Sequence, residues 1–296
     1  MVRMKRAPFA ALTGAVFLLA VAATAAAPLT PGPQGAESGA SRRQLWFLPI
    51  SGERLLMHAT VMRPAGPGPF PLVVINHGSI QSGDAREKYE MPEYPIASQW
   101  FLDRGYVVVL PQRPGHGATG GPYFEDQGLC QSPDYRQAGV RTADSIEAAI
   151  DYMTAQPFVR RSGVVVVGQS AGGWGALALA SRNPRTVTAV VNFAGGRGGR
   201  SDNKPNNNCA PDELVETAGR FGRTSRVPML WLYIENDTYF GPELSKRMHA
   251  AFNAAGGNAE YHLFPPHGSD GHFFVDAADA VPIWSPVVGA FLDKHR

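Results

Sequence analysis

Apolar residues come in two rhythms along this chain. Continuous runs at 70–76 (FPLVVIN), 106–110 (YVVVL), 164–167 (VVVV), 187–193 (VTAVVNF) and 228–234 (PMLWLYI) have the length and β-branched content of strands buried on both faces. Between them apolar side chains recur every three or four residues. Ile96, Trp100 and Phe101 mark one helix, ended by Gly105; Val140, Ala143, Ile146, Ile150 and Met153 mark another, ended by Pro157. The small-residue stretch 171–181 and the segments 243–255 and 287–294 complete the helices. Runs at 45–50 and 55–62 precede the series and read as an antiparallel pair, while 258–264 is more polar and is expected nearer an edge. Strands alternating with helices predict an α/β fold: a mostly parallel sheet flanked by helices. No internal repeat is visible.

Three segments break the rhythm. Residues 28–44 (PLTPGPQGAESGASRRQ) are rich in Pro, Gly, Ala and Ser and are predicted as a flexible leader, with the domain proper at 45–296. Residues 195–226 begin polar and glycine-rich (GGRGGRSDNKPNNNCAPDEL), turn weakly helical, and lie between two predicted strands, the place for a lid-like insertion. Residues 1–27 have the layout of a signal peptide. Arg3, Lys5 and Arg6 are followed by an apolar run, 9–23, broken only by Thr13 and Gly14, and then by alanines suited to cleavage. That run is short of the about 20 residues a membrane span needs. An exported protein, periplasmic or secreted, with no stable span after cleavage is therefore expected; an uncleaved anchor is the alternative.

Composition narrows the classes of function. Hydrophobic residues at 44% and charged ones at 18% are enough for a sizeable core. The formal charge is +2, and without the three cations of the signal segment the 27 basic residues fall one short of the 25 acidic ones. With no basic run either, nucleic acid is excluded as a partner. Cys130 and Cys209 are the only cysteines. In an oxidising compartment they form a candidate disulfide between two predicted loops, with two free thiols as the alternative.

The chemistry starts at Gly168-Gln169-Ser170-Ala171-Gly172, a G-x-S-x-G set between the run VVVV and a small-residue helix. A serine hydroxyl is a weak nucleophile unless a base takes its proton and the backbone holds it exposed. A strand-to-helix turn does the holding, the glycines relieve its crowding, and the helix start directs N–H groups at a developing oxyanion.

The chain resembles the α/β-hydrolase superfamily, in particular its dienelactone hydrolase-like and related esterase or serine-peptidase branches, over residues 45–294. The resemblance rests on NHGS (76–79), GQSAGG (168–173), END (235–237) and GHFF (271–274) in that order. It implies a Ser–Asp–His triad, an oxyanion hole of backbone amides and no cofactor. Ser170 is then the nucleophile. His272 in GHFF is similar to the family's catalytic histidine and is preferred over His267. Asp237, just beyond PMLWLYI, is the orienting acid, with Glu235 and Asp270 as rivals. The oxyanion donors implied are the amides of Ala171 and of Ser79, the latter in His77-Gly78-Ser79, which matches the family's H-G-x pattern. His77 is expected to hold that loop, not to act as a base.

The glycine-rich stretch 114–121 after YVVVL lacks G-K-[ST] and the spacing of a nucleotide loop. It resembles the family's loop beside the pocket, where His116 is expected as a lining residue. Phe124, Trp174 and Phe273 are expected at an apolar acyl site, Trp231 in the core, and no zinc-ligand spacing occurs. The reading is a serine esterase acting on a small-molecule ester. A serine peptidase of the same fold and a catalytically silent binding protein are the alternatives.

Overall fold

The computed structural model describes Val2 and residues 29–295. The expected signal peptide, 1–27, lies outside the described residues apart from Val2. The five continuous apolar runs form the middle of the sheet: β4 (Leu72–Asn76), β5 (Val107–Pro111), β6 (Val164–Gln169), β7 (Val187–Phe193) and β8 (Met229–Ile234). To one side lie β1 (Gly32–Ser38), β2 (Arg43–Pro49) and β3 (Leu56–Met62); to the other, β9 (Ala259–Phe264). The order across the sheet is β1-β2-β3-β5-β4-β6-β7-β8-β9. From β5 to β9 every pairing is parallel; β1, β2 and β3 join antiparallel. This is the mostly parallel, helix-flanked sheet expected from the runs, in the α/β-hydrolase arrangement that the resemblance implied.

Alternate residues of each central strand feed two cores. Leu72 and Val74 face the helices α3 (Tyr135–Thr154), α4 (Ala171–Ala180), α5 (Pro211–Gly222) and α6 (Pro242–Ala254). Val73 and Ile75 face α2 (Pro95–Leu102) and α7 (Val281–Lys294), whereas the short α1 (Gly83–Glu87) buries no residue. Because both faces are covered, the strands are apolar throughout rather than alternating. Each fully buried valine or leucine stabilises by roughly 1.5–3 kcal/mol. All ten residues of α4 are buried, which places it in the interior, packed on β6 and β7. α3 opens on Asp134, whose carboxylate caps the amide of Gln137 at 2.7 Å.

Three expectations need correcting. The leader 28–44 is not free of structure, since β1 pairs with β2 in the register Gly32↔Phe47 and Gln34↔Leu45. An edge strand needs only backbone hydrogen bonds, and Pro33 is tolerated there. Glu37 in β1 also pairs with Arg42 and Arg63. The segment 195–226 is not wholly an insertion, because its second half is α5, the crossover helix between the parallel strands β7 and β8. Finally, α7 starts at Val281, ahead of the expected 287, with Trp284 and Val288 buried against the sheet.

Candidate active site

The C-terminal ends of β4, β6 and β8 and the chain beyond β9 bring the expected residues to one end of the sheet, where open α/β sheets place their sites. Ser170 stands between β6 and α4 at φ 54°, ψ −120°. Its amide donates to Phe193 O at 3.0 Å, and its carbonyl accepts from Trp174 at 3.0 Å and Gly196 at 3.1 Å. The bend leaves no room for neighbouring side chains. A Cβ on Gly172 would lie 2.3 Å from Asn76 O, and one on Gly168 would lie 2.4 Å from Gly172 O. That crowding is why glycine stands on both sides of the serine.

His272 is the second residue of the helical turn Gly271–Asp276, and its ring is buried. Nδ1 lies 3.1 Å and 3.2 Å from the two carboxylate oxygens of Asp237. Asp237 is 1% exposed, and its Oδ1 also accepts the amides of Tyr239 at 2.7 Å and Phe240 at 3.0 Å. The Tyr239 ring stacks on the imidazole with centroids 4.1 Å apart. Gln169, beside the serine, donates to the His272 carbonyl at 3.1 Å and so ties this turn to the elbow. Ser170 Oγ and the His272 ring are not hydrogen-bonded to one another; such contacts are often loose before substrate binds.

The rivals fall elsewhere. His267 Nε2 meets Asp279 at 3.1 Å. Asp270 accepts the Thr238 hydroxyl at 2.6 Å and the His272 amide at 3.0 Å, so it shapes the turn without touching the imidazole. Burial pushes its carboxyl up, but the Thr238 and His272 donors prevail and hold it below its ordinary value. Glu235 is exposed.

Ser79, Ala171 and Ser170 line a cavity of about 680 Å³ together with Arg197, Arg200 and Tyr239. Neither the Ser79 nor the Ala171 amide donates to a protein acceptor among the described residues. Cys130 and Cys209 are bridged, with Cα atoms 4.8 Å apart, and both line the cavity. The bridge thus joins the loop before α3 to the loop before α5 at the rim. Among the described residues no helix is long and apolar enough to cross a membrane and no group of side chains could hold a metal.

The apolar acyl site expected from Phe124, Trp174 and Phe273 is not assembled. Trp174 is wholly buried, its Nε1 donating to Tyr135 O at 2.8 Å, and Phe124 lies near Arg141 on another face. Phe273 is 60% exposed, its ring 5.4 Å from that of His272. Arg86, Tyr123, Arg197 and Arg200 line the cavity instead, and sequence reasoning missed them. Arg113, Glu125 and Arg197 form a buried ionic cluster beneath the cavity. Their only sequence signal was position, since Arg113 stands two residues beyond β5 and Arg197 four beyond β7.

Both loop histidines are locked. His77 Nε2 accepts the Arg113 amide at 3.1 Å, and Nδ1 lies 2.5 Å from Gly78 O, so neither nitrogen is free to act as a base. Burial, reinforced by the positive charge of Arg113, pushes its pKa well below the ordinary range. His116 is lowered to about 4, chiefly by burial.

Comparison with known proteins places the fold. Residues 57–283 match the dienelactone hydrolase family. Similar solved structures include a candidate dienelactone hydrolase of Klebsiella pneumoniae, 18% identical with a TM-score of 0.59, covering 85% of this chain and 98% of that one. A Pyrococcus furiosus esterase is 14% identical with a TM-score of 0.60 over 90% and 99% of the two chains. Dipeptidyl peptidase 4 of Porphyromonas gingivalis is 16% identical with a TM-score of 0.62; 86% of this chain is covered but only 36% of that one.

Proposed function

This chain belongs to the dienelactone hydrolase family, and from that premise we propose that it is an exported serine hydrolase cleaving a carboxylic ester through an acyl-enzyme. In this reading Ser170 Oγ attacks the ester carbonyl while His272 Nε2 takes its proton. Asp237 holds Nδ1–H and stabilises the imidazolium. The amides of Ser79 and Ala171 receive the oxyanion, since both face the cavity end of the sheet without a protein acceptor. His272 then protonates the departing alkoxide, and water, activated by the same imidazole, releases the acid. The observation that carries the proposal is the buried Asp237 carboxylate against His272 Nδ1, on a turn tied by Gln169 to the strained serine. The Cys130–Cys209 bridge is in keeping with export.

A fluorophosphonate probe should label the parent protein and leave Ser170→Ala unlabelled; labelling that persists in the variant would overturn the assignment. The similarity to a dipeptidyl peptidase supports a second reading, hydrolysis of a peptide bond. Turnover of p-nitrophenyl esters against aminoacyl-anilides separates the two, and esters are expected to be the better substrates because an alkoxide leaves more readily than an amine.

A further inference from the structure

Glu125 lies in the middle of an ionic cluster that the proposed mechanism leaves unused. Its Oε1 accepts from Arg113 Nε at 3.0 Å, and its Oε2 accepts from Arg197 Nη2 and, at 2.6 Å, from the Thr142 hydroxyl. All three charged side chains are at most 5% exposed. From there each arginine reaches towards one peptide. Arg113 Nη2 donates to Gly78 O at 3.3 Å and its Nη1 to His77 O at 2.6 Å. Arg197 Nη1 donates to the Tyr123 hydroxyl at 2.8 Å, which lies 2.9 Å from Ser79 Oγ. Ser79 Oγ is in turn 2.9 Å from His116 Nε2.

The surroundings settle which way each proton points. His116 Nδ1 faces only acceptors: the carbonyls of Arg113 at 3.1 Å and Pro114 at 3.2 Å, and Glu125 at 3.7 Å. The neutral ring therefore carries its proton on Nδ1, and Nε2 must accept. The Ser79 hydroxyl then donates to Nε2, which leaves Tyr123 as the donor to Ser79. The chain runs in one direction, from Arg197 to Tyr123 to Ser79 to His116. His77 is oriented by the same logic: its Nε2 accepts the Arg113 amide, so Nδ1 donates to Gly78 O.

A trans peptide directs its carbonyl and its N–H to opposite sides. With Gly78 O held by His77 and Arg113, the Ser79 N–H turns away from them, and Ser79 lines the cavity. We infer that Glu125 and Tyr123 are positioning residues for the Ser79 amide. Glu125 pins the carbonyl end of the Gly78–Ser79 peptide through Arg113, and holds the side chain beyond its other end through Arg197 and Tyr123. The peptide cannot rotate without breaking one arm or the other. The inference rests on Ser79 being an oxyanion donor, as proposed above.

The test compares Tyr123→Phe, which cuts one arm and spares both ion pairs, with Ser79→Ala, which removes the hydroxyl and keeps the amide. Competent sites are counted with the fluorophosphonate probe, so kcat refers to labelled enzyme only. Complete loss of a donor costs about 10²–10³ in turnover, so a misplaced one should cost about 10-fold. Each variant is expected to lower kcat by about that factor with KM within about twofold. A tetrahedral boronate inhibitor should lose affinity in parallel, and the double variant should be no slower than the slower single one. Parental kcat in Tyr123→Phe, or the two effects multiplying in full, overturns the inference. Glu125→Gln should show the same pattern, and a folded Glu125→Gln enzyme with parental kcat also overturns it. Where Glu125→Gln fails to fold, Tyr123→Phe decides. If Ser79→Pro keeps parental turnover, the donor assignment itself fails; if Ser79→Pro is slow while Tyr123→Phe is not, only the positioning inference fails.

Discussion

At Ser170 the backbone adopts φ 54°, a conformation costing an L-residue of order 1–3 kcal/mol, and the crowding around it explains the glycines on either side. In Gly172→Ala the new methyl would meet the Asn76 carbonyl, backbone of a buried central strand with little freedom to move. A loss of at least about 2 kcal/mol is expected, visible as a lowered thermal midpoint. An unchanged midpoint would show that the elbow relaxes. Asp237 presents a different kind of dependence. In Asp237→Asn the amide keeps the shape but no longer holds the proton on His272 Nδ1, so turnover should fall by about 10⁴ while the fold persists. The amide-accepting role of Oδ1 towards Tyr239 and Phe240 survives that change, which isolates the chemical effect.

On the scale of elements, two loops carry the cavity rim, and each has no more than a single 3-10 turn of regular structure to hold it. The Cys130–Cys209 bridge closes 79 residues of sequence and fixes one loop on the other. Cys209 is further held by its amide to Gly198 O at 2.9 Å and by the Tyr135 hydroxyl on its carbonyl. Replacing both cysteines by serine should cost about 2–5 kcal/mol, read from the urea midpoint of unfolding. Retention of the full midpoint would mean that the remaining contacts suffice. The first strand shows how weak compositional signals are for edges. Residues 32–38 have the Gly and Pro content of a linker, yet pairing with β2 asks only for backbone groups and for Glu37 beside Arg42 and Arg63.

Across the whole molecule, buried ionisable groups set the response to acid. Burial lowers His116 to about 4 from its ordinary 6.5. Between those values the unfolded chain binds a proton that the folded chain refuses, so stability falls as pH drops from about 6.5 to about 4 and the loss levels off below. For His116 alone this amounts to about 3 kcal/mol. His77, also depressed, changes stability in the same direction. Burial pushes the Glu125 carboxyl up, but Arg113 and Arg197 outweigh it and hold the carboxyl below its ordinary 4.5; its stabilisation is lost as pH falls beneath that value. Denaturant midpoints should therefore drop between pH 7 and pH 4, and a flat profile would contradict the burial of these rings.

The strands, the helices and the strained turn at Ser170 were legible because they are written locally. A run such as LVVIN is buried on both faces wherever it lies, and G-x-S-x-G between a strand and a helix needs no distant residue to be recognised. The buried contact of His272 with Asp237 was legible through resemblance, each residue standing in a short motif at the end of a predicted element. The Glu125 cluster was not, for Arg113, Glu125 and Arg197 are single charges whose partners are 12 and 72 positions apart. Nor was the place of Arg197 and Arg200 in the cavity lining, from which Trp174 and Phe124 are absent. Which loops meet depends on how strands far apart in sequence are ordered in the sheet, and only the folded chain fixes the pairing of buried charges with one another.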